Sequence, residues 1–248
     1  MIEKKRCTAI VLSAGTGSRM GGDVAKQYRM LGDKPVLWYS LQAVEKSHII
    51  DDCILVVGAG DVETVRKDIV DKYGFAKVDT VTAGGAERYL SVGNALQVIA
   101  DDDLKVPNHD GYVFIHDGAR PFLTEEMLER IADGVHKYRA CVAAVPSKDT
   151  VKIADKDQFA IQTPDRRTVW NIQTPQAFDV AVMQEAYERL KHGAQRLKEQ
   201  GIAITDDACV VELFTNVKVR LVEGSYNNLK ITTPEDMIVA EALLAGIL

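Results

Sequence analysis

Cysteine is scarce: Cys7, Cys53, Cys141 and Cys209 lie far apart, with no C-x-x-C pair among them. Each sits in an apolar stretch, which argues against a disulfide framework or a cysteine zinc site and predicts reduced thiols in a core. Positive charge is also short. With 30 Lys and Arg against 36 Asp and Glu, the formal net charge is -6, so no general basic surface is present to hold nucleic acid or anionic lipid. Neither is an expected partner, and any phosphate site must be local. Long apolar runs are missing too. Lys4, Lys5 and Arg6 precede an apolar run, as in a secretion signal, but Ala9 to Leu12 meets Ser13 and a glycine loop at once. That is too short for a signal core or a membrane span, so the expected location is the cytoplasm. Internal repeats, low-complexity tracts and interdomain linkers are likewise missing.

What is present is ordinary in amount and ordered in pattern. A chain of 248 residues with 46% hydrophobic and 27% charged residues can bury one core as a single α/β domain. Short β-branched apolar runs alternate with helical-period segments, which predicts an α/β domain around a mainly parallel sheet flanked by helices. The strand candidates are Cys7 to Ser13, Asp52 to Val57, Val78 to Thr82, Tyr112 to His116, Cys141 to Val145 and Val217 to Val222. Helices are expected over Val36 to Lys46, Val62 to Tyr73, Glu87 to Ala100, Glu125 to Tyr138, Asp179 to Lys191, Asp206 to Phe214 and Glu235 to Ala245. Thr124 before an acidic turn, Gly193 after the fifth helix and Pro234 before the last supply start and stop signals. Ser147 to Ile172 breaks the alternation. It is polar, contains Pro164, Arg166 and Arg167, and is long for a structureless loop, so it is read as a β-arm leaving the sheet to pack on a second subunit.

Four segments could carry chemistry, all predicted at the C-terminal edge of the strands where such sheets bind ligands. First, Ser13-Ala14-Gly15-Thr16-Gly17-Ser18-Arg19-Met20 leads to Lys26-Gln27-Tyr28. Its glycines allow a tight turn that offers N–H groups to phosphate, and Arg19 and Lys26 bring the charge a triphosphate needs. It is not a P-loop, because no G-x-x-x-x-G-K-[ST] string occurs. A dinucleotide fingerprint fails because position 20 is Met, and Asp33 falls before the second strand rather than at its end. Second, His116-Asp117-Gly118-Ala119-Arg120-Pro121 puts a carboxylate at a strand end, where it could hold Mg²⁺ or pair with Arg120 to stabilise a turn; His116 reads as a satisfied structural residue. Third, Gly84-Gly85-Ala86-Glu87-Arg88, followed by Ser91, could edge a base pocket or cap a helix. Fourth, Gly224 to Pro234 returns Lys230 to the sheet edge, where a lysine taken alone is a solvated surface group.

Taken in this order, the motifs resemble those of the 2-C-methyl-D-erythritol 4-phosphate cytidylyltransferases of the non-mevalonate isoprenoid pathway. The resemblance covers nearly the whole chain: A-G-x-G-x-R-M, K-Q-Y, G-G-x-E-R, H-D-G-A-R-P, D-T, D-R, T-P-Q, I-T-D-D-A and N-x-K-I-T-T-P-E-D. It implies a CTP-binding Rossmann-like domain, transfer of CMP from CTP to 2-C-methyl-D-erythritol 4-phosphate with Mg²⁺ or another divalent cation, and a homodimer whose protruding arms complete each other's sites. On that pattern Arg19 and Lys26 match the groups that stabilise charge at the α-phosphate, and Arg166 and Lys230 match those that place the acceptor. Asp117 and Arg120 match groups around metal and acceptor, with Thr150, Thr174 and Thr205 on the acceptor side. Ala14, Gly15, Thr16 and Gly17, with Gly85 and Ser91, match the cytidine wall. Ala25, Ala86 and Asn227 depart from the pattern: the first replaces a usual proline, and the others stand at positions acidic in some relatives.

Three other readings compete. A polyol-phosphate cytidylyltransferase acting on ribitol 5-phosphate would use the same machinery; Asp165-Arg166 and Trp170 look more like the erythritol group's arm. A catalytically silent nucleotide-binding regulatory module would not be expected to keep Arg19, Lys26, Asp117, Arg166 and Lys230 together. A nicotinamide oxidoreductase would need the missing third glycine.

Overall fold

The computed structural model describes residues 5–15 and 25–247. Strand β1 (Cys7–Ser13) opens the chain, and after a 3₁₀ turn at Lys26–Tyr28 come a small hairpin, β2 (Met30–Leu31) and β3 (Lys34–Pro35), and helix α1 (Val36–Lys46). Next are β4 (Asp52–Val57), α2 (Val62–Val65, widening into a π-helical turn over Arg66–Asp71), β5 (Val78–Ala83), α3 (Arg88–Ala100), β6 (Tyr112–Asp117), α4 (Glu125–Tyr138) and β7 (Ala140–Pro146). The second half holds β8 (Ile153–Ala154), β9 (Ala160–Gln162), β10 (Trp170–Asp179), α5 (Val180–Glu199), α6 (Asp207–Phe214), β11 (Arg220–Glu223) and α7 (Pro234–Leu244).

Seven strands form one sheet in the order β11-β7-β10-β6-β1-β4-β5. All neighbours are parallel except β10, which runs antiparallel to both β6 and β7. Alternation along β1 sends Ala9 and Val11 to one face and Ile10 to the other, and both faces are covered. On one side α1 and α4 pack through Leu37, Leu41, Met127, Ile131 and Val135. On the other α3, α5 and α6 pack through Val92, Leu96, Met183, Leu190 and Val211. Every residue of β4 is buried, as expected of a strand shielded on two faces. Each large side chain so buried contributes about 1.5–3 kcal/mol relative to exposure.

Helix ends follow the local chemistry. Thr124 Oγ1 accepts from Met127 N–H, with Glu125 and Glu126 in the first turn of α4; at α7, Pro234 follows Thr233, and Asp236 closes a capping box. The stop expected at Gly193 is a correction: α5 continues to Glu199. A Cβ at Gly193 would lie 2.5 Å from the Phe214 ring, so this glycine lets α5 and α6 approach closely. The glycine that follows the helix end is Gly201, with φ +70°.

Of the seven strands in the main sheet, β10 is the one that sequence pattern misses. Its central Gln173, Thr174, Pro175 and Gln176 read as loop, since a proline argues against a central strand. The ladder accommodates it with a register shift between Ile172 and Gln176. The strand rejoins the sheet at Trp170, opposite Pro146, so the arm is shorter than Ser147 to Ile172. Within it β8 and β9 pair with each other as a separate two-stranded sheet. Val217 and Val219 pack on the core, but ladder pairing of β11 begins only at Arg220. Cys7, Cys53 and Cys141 are buried and Cys209 is partly buried. Among the described residues no helix is long and apolar enough to cross a membrane.

Candidate active site

Sheet order brings the motifs to one rim. In β1 and β6, Leu12 pairs with Asp117, so the glycine loop and the Asp117 turn leave the sheet side by side. The Gly118 N–H donates to the Leu12 carbonyl at 2.8 Å, and Gly84 N–H to Val57 at 2.7 Å. A Cβ on Gly84 would lie 2.4 Å from the Ala14 Cβ; only glycine lets those two loops meet. The Lys26 turn is tied down by its neighbour Gln27, whose buried amide donates to the Ser13 and Gly15 carbonyls at 2.8 and 3.0 Å. Because β10 is antiparallel, its first half lies at this same edge. Parallel β11 delivers the Lys230 loop there.

Two adjoining cavities result. One, of about 420 Å³, is lined by Ala14, Gly15, Lys26, Gly85 and Ser91 among others; a second, of about 280 Å³, is lined by Arg120, Thr174, Gln176, Thr205 and Asp206. Arg88, Asp117 and Lys230 belong to both. Lys230 Nζ lies 2.8 Å from Asp117 Oδ2, Arg88 Nε 3.6 Å from Asp117 Oδ1, and Arg120 Nε 3.6 Å from Asp117 Oδ2. Burial pushes the Asp117 carboxyl up, but Lys230, then Arg88 and Arg120, outweigh it and hold the group well below the usual carboxylate range. Burial also works against the Arg88 cation, and Asp207 and Asp117 more than restore it.

His116 is structural, as its position suggested. Nε2 meets the Arg120 carbonyl and Nδ1 the Thr174 hydroxyl, both at 3.1 Å, while the Asp117 N–H donates to that hydroxyl at 3.0 Å. A carbonyl can only accept, so Nε2 carries the proton and Nδ1 accepts from Thr174. Burial lowers the imidazole pKa to about 4, which keeps it neutral. Thr174 therefore lines the second cavity with its hydroxyl proton committed to His116 and its oxygen to the Asp117 N–H. Ser91 is similarly engaged: Oγ accepts from Gly85 N–H at 3.1 Å and donates to the Glu87 carbonyl at 3.3 Å. Arg120 is buried, its Nη1 donating to the Asn228 carbonyl at 2.7 Å.

The remaining candidates divide. Thr205 reaches the second cavity. Thr150 and Arg166 are exposed on the arm and line neither cavity. Arg19, Thr16 and Gly17 lie outside the described residues. Residue-by-residue reading passed over Arg88, Gln27, Gln176 and Asn228. Arg88 did carry a signal: it is the first residue of α3, where the helix dipole disfavours a cation, so a specific counter-charge was to be expected. The three amides gave none, since their role depends on contacts distant in sequence.

Two cavities sharing one wall of alternating charge suit transfer between two bound phosphates, and on this mostly parallel sheet they define the chain as a nucleotidyltransferase. The family model for 2-C-methyl-D-erythritol 4-phosphate cytidylyltransferase matches residues 7–246. A relative of that name from Lachnoclostridium phytofermentans is 48% identical over 240 residues, covering 97% of each chain. Another, from Lachnospira eligens, is 46% identical and covers 96% of this chain and 99% of its own. The solved 4-diphosphocytidyl-2C-methyl-D-erythritol synthase of Anaerococcus prevotii aligns with a TM-score of 0.79 at 36% identity, covering 98% of this chain and all of the other. The chain belongs to the 2-C-methyl-D-erythritol 4-phosphate cytidylyltransferase family.

Proposed function

We propose that this enzyme transfers CMP from CTP to 2-C-methyl-D-erythritol 4-phosphate, releasing pyrophosphate. The observation that carries the reading is the shared wall: Arg88, Asp117 and Lys230 border both cavities, so a donor in the larger and an acceptor in the smaller would meet there. An acceptor phosphate oxygen bonds to the α-phosphorus as the bond from that phosphorus to the leaving pyrophosphate oxygen breaks. A phosphate monoester is already anionic, so positioning and charge stabilisation suffice without a general base or covalent intermediate. In this scheme Arg19 and Lys26 offset charge at the α-phosphate and Lys230 and Arg120 face the acceptor. The loop from Ala14 to Gly17, with Gly85 and Ser91, borders the nucleoside.

Mg²⁺ is part of the proposal, as an ion that arrives with the triphosphate. Among the described residues no three His, Cys, Asp or Glu side chains converge to hold a metal, and Asp117 is already matched by Lys230. That donor set fits an ion held mainly by phosphate oxygens and water, with Asp117 as the one strand-end carboxylate beside it. When bound it would neutralise phosphate charge.

A homodimer would place Thr150 and Arg166 of one arm over the partner's acceptor. Support comes from the exposure of those two residues away from their own cavities, and from Phe159 and Ile161 on the arm, exposed at 72% and 64%. A cytoplasmic location belongs to the same proposal and fits four widely spaced cysteines with no C-x-x-C pair. Pyrophosphate release from each of four nucleoside triphosphates, with erythritol or ribitol acceptor and with or without Mg²⁺, tests the whole reading. Turnover is expected with CTP, the erythritol phosphate and Mg²⁺; equal turnover with ribitol 5-phosphate would overturn the acceptor assignment. CTP binding without turnover on either acceptor would favour the silent module instead.

A further inference from the structure

Arg88 carries two energetic burdens at once. It is a cation at the positive end of the α3 dipole, and it is largely withdrawn from water, its side chain keeping 29% exposure toward the cavities. A buried charge persists only when specifically paired. Asp207 supplies the pair, with Oδ2 2.7 Å from Arg88 Nη1. That carboxylate is itself fully buried and built in from several sides: Tyr187 donates its hydroxyl to Oδ1 at 2.9 Å. Gln176 Oε1 accepts the N–H groups of Asp207 and Ala208 at 3.1 and 3.0 Å. The Gln176 amide in turn donates to Asp206 Oδ2 at 2.9 Å. Helices α5 and α6 and strand β10 thus form a bracket behind one guanidinium, and that guanidinium stands at the boundary of both cavities.

A purely structural ion pair would be complete with Asp207 alone. Arg88 instead also directs Nε toward Asp117, at 3.6 Å. We infer that Arg88 is a further catalytic residue, contacting the phosphoryl group in transit, and that Asp207, backed by Tyr187, is the positioning residue that sets its place. The inference rests on the proposed transfer between the two cavities. Without Asp207 the guanidinium would be drawn to Asp117 and compete there with Lys230, leaving the transferred phosphoryl group without one of its preset donors.

The test is a double-mutant cycle on kcat for pyrophosphate release, with thermal unfolding of each variant measured alongside. Arg88→Met is expected to lower kcat by about 10²–10³-fold, the usual cost of removing one preorganised donor. Asp207→Asn is expected to lower it by about 10²-fold, as a displaced group does, with a smaller change in KM for CTP. In the Arg88→Met background, Asp207→Asn should change kcat by less than about 3-fold, because residues acting as a unit are not additive. Tyr187→Phe keeps the ring and removes one hydrogen bond; it should give a smaller drop that also vanishes without Arg88, and it carries the test if Asp207→Asn does not fold. Near-normal kcat in Arg88→Met overturns the inference. So does an equal loss from Asp207→Asn, or from Tyr187→Phe in its place, with and without Arg88. A wild-type chain that releases no pyrophosphate from any donor and acceptor pair fails earlier, at the functional reading, and takes this inference with it.

Discussion

Lys230 Nζ lies 2.8 Å from Asp117 Oδ2, joining the loop after β11 to the end of β6. Neither group holds that place unaided. Asn228, fully buried, donates to the Thr174 carbonyl at 2.8 Å, and Ile231 N–H donates to the Ala119 carbonyl at 2.9 Å; these bonds pin the chain on both sides of the lysine. One carboxylate surrounded by Lys230, Arg88 and Arg120 spaces the three cations, and it supports the Arg120 charge against burial, which lowers that group's pKa.

Asp117→Asn should therefore separate binding from turnover. Removing the negative charge takes the opposing carboxylate from Lys230 and Arg120 while Arg88 keeps Asp207, so CTP affinity measured by calorimetry should hold or tighten. Loss of their fixed spacing should lower kcat by about 10²-fold. Normal kcat in this variant would make Asp117 a merely structural anchor.

Gln27→Leu tests the support beneath Lys26. It strips two carbonyls of the same donor, one at buried Ser13 and one at exposed Gly15, and a buried unsatisfied group such as the first costs about 1–3 kcal/mol. Urea unfolding should report a loss in that range, and KM for CTP should rise as the loop loosens. An unchanged KM would dissociate the loop from nucleotide binding.

His116 gives a signed pH dependence. Its pKa falls from 6.5 to about 4 on folding, so below pH 6.5 the unfolded chain takes up a proton that the native state refuses. Stability is fully present above 6.5 and is lost as pH falls toward 4, by on the order of 3 kcal/mol. Denaturant titrations across that window should show the slope in the wild type and a flatter one in His116→Gln. Equal slopes would refute the assignment.

Gly193→Ala would drive a methyl into the Phe214 ring and should destabilise by about 1–3 kcal/mol, the usual cost of overpacking. Combining it with Phe214→Leu should recover part of the loss. A stabilised single variant would mean that the helix interior at Gly193 has room for a methyl and that Phe214 does not crowd it.

Arg166→Ala and Lys26→Ala should each be nearly inactive alone. If arms serve the partner's site, each mixed dimer contains one site with both residues intact, so random subunit exchange should restore about a quarter of wild-type activity. No recovery on mixing subunits shown to exchange would confine Arg166 to its own chain.

Much of this was legible without coordinates, and for a physical reason. Buried strands such as Asp52–Val57 and capped helices such as Glu125–Tyr138 are written in local periodicity and in the chemistry of their ends, and the glycine, Lys and Asp motifs marked strand edges that line the two cavities. Interactions that close only across the fold were not legible. Strand β10 hid because its polar centre and proline oppose a central-strand reading until the bulge between Ile172 and Gln176 is seen, and Gly193 read as a stop until Phe214 occupied the space beside it. The sequence by itself determined most of the elements, the family and most of the charged groups. Tertiary structure alone decided that Lys230 meets Asp117, that Thr174 turns inward to His116, and that Arg88 is braced by Asp207, because each contact depends on strand order and register rather than on neighbours along the chain.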